Sequence, residues 1–214
     1  MRLSNRFEKH VLVAAAVAMG ATAAANAAIV YSGVVNFSCA IDIDGTYINV
    51  ETNQLTNGPG AGVPGWDVNP YRSSSGSGMN FFSPTGGGMV SAAAGVGPAL
   101  NLAAGTLIGS ASNFSSSTAT IAFGSAAGQW QYASNNIVGF RFVSSAGTTH
   151  YGWMRFLMGT QPVSGNLVTR TVVDFAYESV AGASIAAGDT GVIPAPGALA
   201  LLGVAGLAGA RRRR

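Results

Sequence analysis

Apolar and polar residues alternate with a period of two through much of the second half of the chain, and no long stretch shows a helical period. This pattern predicts strands over 117–123, 137–143, 151–158 and 167–177. In FRF, Phe140 and Phe142 point inward and Arg141 outward, while VVDFAYE puts Val173, Phe175 and Tyr177 on one face. Along 151–158, Tyr151 and Trp153 fall on the face opposite Met154, Phe156 and Met158. Nearer the start, SCAIDIDGTYINVET separates Ile41 and Ile43 from Asp42 and Asp44. Asp44-Gly45 is a two-residue turn signal and 47–50 resumes the strand, so a β-hairpin is expected here. Residues 56–91 are crowded with Gly, Pro and Ser and read as irregular, and 91–109 is small and apolar with room for a short helix around 99–104. Short strands at even spacing joined by glycine-rich connections predict an all-β fold, an antiparallel β-sandwich or jelly roll, as a single domain over 28–192.

The two ends follow other rules. The first 27 residues carry Arg2, Arg6 and Lys9, then an apolar run of small residues, then Ala25-Asn26-Ala27. Basic flank, apolar run and small-residue site in that order form a secretory signal peptide, cleaved after Ala27 so that the mature chain starts at Ala28. At the other end, 193–210 contains no charge and is followed by Arg211, Arg212, Arg213 and Arg214. Eighteen residues lie at the short end of what crosses a bilayer core of roughly 30 Å, and terminal arginines hold such an end on the cytoplasmic side. Pro194 and Pro196 disfavour helix at the start of the run, which leaves 198–210 as its helical part. A membrane anchor that is transient, and cut near the prolines, fits this layout; a permanent anchor is the rival.

A proline-x-proline, an Ala/Leu/Gly-rich helix and a terminal arginine cluster together resemble the sorting tail of the PEP-CTERM proteins, over residues 193–214. Ala195 stands where that family has a glutamate between its prolines. The resemblance implies processing by signal peptidase and by an exosortase-type sorting enzyme, in a bacterium that makes extracellular polymeric material, with Pro194, Pro196 and Arg211 to Arg214 as the processing residues. The body of the chain is also similar to uncharacterised exported proteins that carry this tail, on DGTYINVETNQLTNG, PGWDVNPY, GFRFVSSAGTTHYGWMRF and DFAYESVAGASIAAGDT. That second resemblance implies one domain and no particular activity.

Charge changes the picture once the ends are set aside. The whole chain has a formal charge of +3, but seven of its eleven basic residues lie in the two terminal segments. What remains is Arg72, Arg141, Arg155 and Arg170 against Asp42, Asp44, Glu51, Asp67, Asp174, Glu178 and Asp189, a net charge of −3 with no lysine. A domain of this kind offers no basic patch for a phosphate backbone, so no nucleic-acid partner is expected. Cys39 is the only cysteine, which rules out an internal disulfide and points to a small core residue.

Candidate chemistry is thin. His150 is the only histidine after the leader, with Asp174 as a conceivable orienting acid, but no serine sits in G-x-S-x-G. Asp42 with Asp44, and Asp174 with Glu178, are the carboxylate pairs a hydrolase would need, and alternation with apolar neighbours reads them instead as solvated strand faces. IDIDGTYIN lacks the sixth-position glycine and twelfth-position acid of an EF-hand, and one histidine with one cysteine falls short of a zinc site. Neither catalytic residues nor a metal or cofactor is expected. Trp66, Tyr71, Trp130, Tyr132, Tyr151 and Trp153 are aromatics able to stack on sugar rings, and Tyr151, Trp153 and Arg155 would form a glycan platform if their face is open. The resulting expectation is a non-enzymatic protein exported to the cell envelope, cell surface or extracellular matrix. Its role is structural or adhesive, extracellular polysaccharide is a possible partner, and a lectin-like module and then a carboxylate-based hydrolase are the alternatives.

Overall fold

The computed structural model describes residues 28–58, 62–72, 78–162 and 167–191. The residues expected to direct processing, Ala27, Pro194, Pro196 and Arg211 to Arg214, and the N-terminal signal helix and C-terminal hydrophobic helix expected with them, lie outside the described residues. Within them the protein is all-β, with antiparallel pairing throughout its strands and almost no helix. The strands are β1 (Ile29–Tyr31), β2 (Phe37–Ser38), β3 (Thr46–Asn49), β4 (Gln54–Asn57), β5 (Asn69–Arg72), β6 (Met79–Phe82), β7 (Gly88–Met89), β8 (Ser91–Ala93), β9 (Val96–Ala99), β10 (Leu107–Ile108), β11 (Thr118–Thr120), β12 (Asn135–Val143), β13 (Thr149–Met158), β14 (Arg170–Glu178) and β15 (Ile185–Ala186).

The main sheet runs β1-β14-β13-β12-β7, with β2 also paired to β14. Its centre is the meander β12–β13–β14, where the alternation of the sequence is longest and where Asn135 pairs with Leu157 through to Val143 with Thr149. Both faces of this meander are covered. On one face Val138, Phe140, Phe142, Met154, Phe156, Met158, Val172 and Phe175 pack against Ile48, Val68, Met79, Phe81 and Trp130, with Cys39 in the same core. Phe81 meets Phe156 edge-on at 5.5 Å. On the other face Tyr151, Trp153 and Ala176 pack against Val90, Ile108, Phe114, Ile185 and Ala187. The small sheet β11-β6-β5 and the hairpin β3–β4 supply part of the first cover, and the β10–β15 pair part of the second.

Two glycines let side chains pack directly against the backbone of this meander. Phe140 lies opposite Gly152 and Trp153 opposite Gly139 in the β12–β13 ladder. A Cβ at Gly152 would come within 2.6 Å of the Ala176 carbonyl oxygen and collide with the ring of Phe140; at Gly139 it would come within 2.7 Å of Val90.

Several expectations are corrected. The hairpin falls one turn later than Asp44-Gly45: β3 and β4 are joined by residues 50–53, while 41–45 is an irregular turn before β3. There the Asp42 Oδ1 accepts the Gly45 N–H at 2.7 Å, so Asp42 serves its own turn and not a strand face. The stretch 56–91 contains β5 and β6, which pair with each other from Asn69 opposite Phe82 to Arg72 opposite Met79, and β7, which pairs with the distant β12; Gly, Pro and Ser between these short strands hide the alternation. Residues 99–104 form no helix: β9 ends at Ala99, and the N–H groups of Leu100, Asn101 and Leu102 bond to Val90, Gly128 and Ile137, not along their own segment. On β14 the register slips, because Arg155 pairs with Asp174 but Phe156 with Val172. Val173 is the extra residue of this bulge, so Val172, Phe175 and Tyr177 share the core face expected for Val173, Phe175 and Tyr177.

Candidate functional site

An open cleft of about 250 Å³ is lined by Ile43, Asp44, Tyr47, Trp66, Asn69, Tyr71 and Phe82. Local sequence explains how each wall is placed. Gly45 takes φ +71°, and a side chain there would strike the Pro70 carbonyl and come within 2.6 Å of the Tyr71 Cβ, so only glycine lets the 41–45 turn lie directly on β5. Asn69, almost wholly buried, donates from Nδ2 to the Asp44 carbonyl at 2.8 Å and locks that turn from below. The buried Arg170 reaches from β14 to donate to the Ala40 carbonyl at 2.8 Å and the Tyr71 carbonyl at 3.3 Å. A guanidinium spanning two main-chain oxygens ties the floor of the cleft to the main sheet.

The aromatic side chains form a connected series. Tyr47 meets Trp66 edge-on at 5.0 Å, and Trp66 meets Phe82 at 5.9 Å and 44°. Tyr47, Trp66 and Tyr71 are half-buried, while Ile43 is 62% exposed and Phe82 40%. The Tyr71 hydroxyl accepts from Asn80 Nδ2 at 3.3 Å, and Asp44 is exposed at the rim. Rigid aromatic rings half-open to solvent, with a carboxylate and a phenol beside them, offer apolar faces and polar edges together. Pockets that enclose drug-sized ligands run to about 300–1,000 Å³, so this shallower cleft suits an extended ligand laid across it.

Trp66 also lines a second, more enclosed cavity of about 170 Å³ with Gly65, Asp67, Pro84, Thr85, Gly87, Phe142 and Val143. Burial pushes the Asp67 carboxyl up to about 7; the Val50 N–H on its Oδ2 at 2.8 Å opposes that rise and the nearby Glu51 charge adds to it.

The platform expected on Tyr151, Trp153 and Arg155 is closed. Trp153 has no exposed surface and Tyr151 is 7% exposed, because the β10–β15 layer and the 100–115 segment cover their face of the sheet. Trp153 donates from Nε1 to the Asp189 carbonyl at 2.8 Å, and Tyr151 stacks on Phe114. Arg155 lies over the Trp153 ring at 5.5 Å with its Nε 3.0 Å from Asp174 Oδ1. Asp174 also accepts the Tyr31 hydroxyl at 2.8 Å; burial first, and this carboxylate second, push the Tyr31 phenol above its usual value.

Asp174 and Glu178 do share a face, but it is buried, contrary to the solvated face expected. His150 and Asp174 take separate partners: the imidazole Nδ1 bonds the Glu178 carbonyl at 2.8 Å and Nε2 the Thr148 hydroxyl at 2.9 Å. Trp130 is fully buried with its Nε1 on the Ala99 carbonyl, and Tyr132 stacks on Phe123 at 3.8 Å. Of the six aromatics singled out by sequence, Trp66 and Tyr71 meet at the cleft. Tyr47 and Phe82 were missed, and the alternation of TYIN, which sets Tyr47 against the buried Thr46 and Ile48, was the one signal pointing to an outward tyrosine.

Among the described residues no three His, Cys, Asp or Glu side chains are grouped to hold a metal ion, and no helix is long and apolar enough to cross a membrane. No protein family, curated protein or solved structure matches the chain.

Proposed function

We propose that this is an exported, non-enzymatic protein of the cell surface or extracellular matrix, adhesive in role, which holds extracellular polysaccharide in the Tyr47–Trp66–Phe82 cleft. The observation that carries the reading is the connected set of half-open aromatic rings beside Asp44 and Tyr71. A pyranose ring presents an apolar face of C–H groups and an equatorial belt of hydroxyls; Trp66 and Phe82 suit the face, and the Asp44 carboxylate and Tyr71 phenol suit the belt. A body with net charge −3 and no lysine favours neutral glycans over acidic ones. The architecture behind the cleft reads as a β-sandwich-like domain, and export rests on the leader ending at Ala27 and the tail at 193–214.

Binding of neutral polysaccharide fragments, followed by calorimetry or on a glycan array, tests the proposal. Trp66→Ala removes the central ring and is expected to weaken binding by about tenfold or more, a loss of roughly 1.4 kcal/mol or more for truncating a central aromatic anchor. Tyr151→Phe, which alters a buried side chain away from the cleft, leaves binding unchanged. Equal affinity in wild type and Trp66→Ala would sink the cleft as the glycan site.

A further inference from the structure

The start of the described chain carries an arrangement that the cleft does not use. β1 pairs with the end of β14, Ile29 opposite Glu178, which brings Ala28 beside the Glu178 side chain. The Ala28 N–H donates to Glu178 Oε1 at 3.0 Å, the Val180 N–H donates to the same oxygen at 2.9 Å, and the Ala28 carbonyl accepts the Ser179 N–H at 3.0 Å. Glu178 is 3% exposed. The one ion pair among the described residues is Arg155 with Asp174, and His150 is engaged with the Glu178 main-chain oxygen and with Thr148. A buried carboxylate held only by amide N–H groups lacks the counter-charge that such groups ordinarily have.

We propose that Glu178 is the seat of the α-ammonium group released when the leader is cut after Ala27, so that processing supplies the missing cation. This rests on the export reading above. Water, activated by a leader peptidase, breaks the Ala27–Ala28 amide bond: its oxygen goes to the Ala27 carbonyl carbon as a carboxylate. The Ala28 nitrogen, taking protons from water, becomes –NH3⁺. The amide donor already aimed at Glu178 Oε1 is thereby replaced by an ammonium donor at the same position. The cut puts a full positive charge where a neutral amide stood, so a Coulombic attraction is added to the hydrogen bond and clasps β1, the edge strand, to β14. Before the cut the carboxylate has an amide donor there but no opposite charge.

Lys9 is the only lysine and leaves with the leader, so an amine-selective acetylating reagent labels the processed protein at its α-amino group alone. Protein purified from the exporting cells is first sequenced from its N-terminus, then labelled near neutral pH as wild type and as Glu178→Gln. An ammonium paired with the carboxylate is expected to label about tenfold more slowly than in the isosteric amide variant, equivalent to one unit in its proton affinity. The wild type is also labelled folded and in urea, where the same tenfold acceleration on unfolding is expected even if the variant folds poorly. A first residue other than Ala28 overturns the cleavage reading, and the clasp with it. A chain that starts at Ala28 but labels at one rate in both tests overturns the role of Glu178 alone.

Discussion

At the scale of the residue, Trp66 and Asp67 are neighbours in sequence with opposite surroundings. Trp66 stands between the open cleft and the enclosed cavity, while Asp67 turns inward, 5% exposed, with Val50 N–H on one oxygen. Its carboxyl titrates near 7 in the fold against 3.8 in a free chain, because burial penalises the charged form. The folded state therefore binds more protons than the unfolded state between those values. Asp67 contributes stability that is whole below about pH 4, is lost as pH rises through about 7, and changes no further above it. Asp67→Asn keeps an acceptor for the Val50 N–H and removes the charge. Urea midpoints compared at about pH 4.5 and about pH 7.5 are expected to show a fall in the wild type that is smaller in the variant; parallel falls would place the titration elsewhere. The sequence showed Asp67 as one more carboxylate in a Gly/Pro-rich stretch, since burial is a property of what folds over a residue.

At the scale of the element, the β12–β13 ladder sets two of its large aromatics opposite a glycine, Phe140 opposite Gly152 and Trp153 opposite Gly139. The Phe140 ring lies across the backbone at Gly152, where the missing side chain gives it room, and at Gly139 the space is taken by Val90 and Ile108. Gly152→Ala puts a methyl group into the Phe140 ring and 2.6 Å from the Ala176 oxygen, so a loss of about 1–3 kcal/mol is expected by chemical denaturation, with the β-rich circular dichroism retained. A variant as stable as the wild type would mean the strands separate more easily than this packing allows. The alternation of these strands was legible, including the assignment of Tyr151 and Trp153 to one face and Met154, Phe156 and Met158 to the other. The bulge at Val173 was not, because it is defined by the partner strand, and adjacent Val172 and Val173 fill the core position equally well in either phase.

At the scale of the whole molecule, a main sheet covered on both faces leaves the open surface to the smaller elements around it. The 41–45 turn, β3, the 62–68 loop, β5 and β6 meet at one edge of the first core, and the cleft opens where they meet. The proposed glycan site lies on this periphery, with the buried meander behind it, as the proposed surface or matrix role would have it. The intact mass of the protein recovered from cell envelope and from culture medium checks the processing that this role requires. A species starting at Ala28 and ending near Pro194 to Pro196 is the expected outcome. A mass that retains Arg214 would instead describe a membrane-anchored protein and remove the sorting step.

The sequence by itself determined the all-β class, the strands at the heart of the main sheet and the two faces they present, because a period of two is a local property that each strand carries within itself. It also named Trp66 and Tyr71 among the aromatics worth finding. Only the tertiary structure decided that the Tyr151–Trp153 face is sealed, that Asp174 and Glu178 are buried, and that Tyr47, Trp66, Tyr71 and Phe82 share a cleft. Each of these depends on a second layer or a distant strand arriving at a surface, and pairs such as Tyr31 with Asp174, 143 residues apart in sequence, leave no trace in the pattern of either segment.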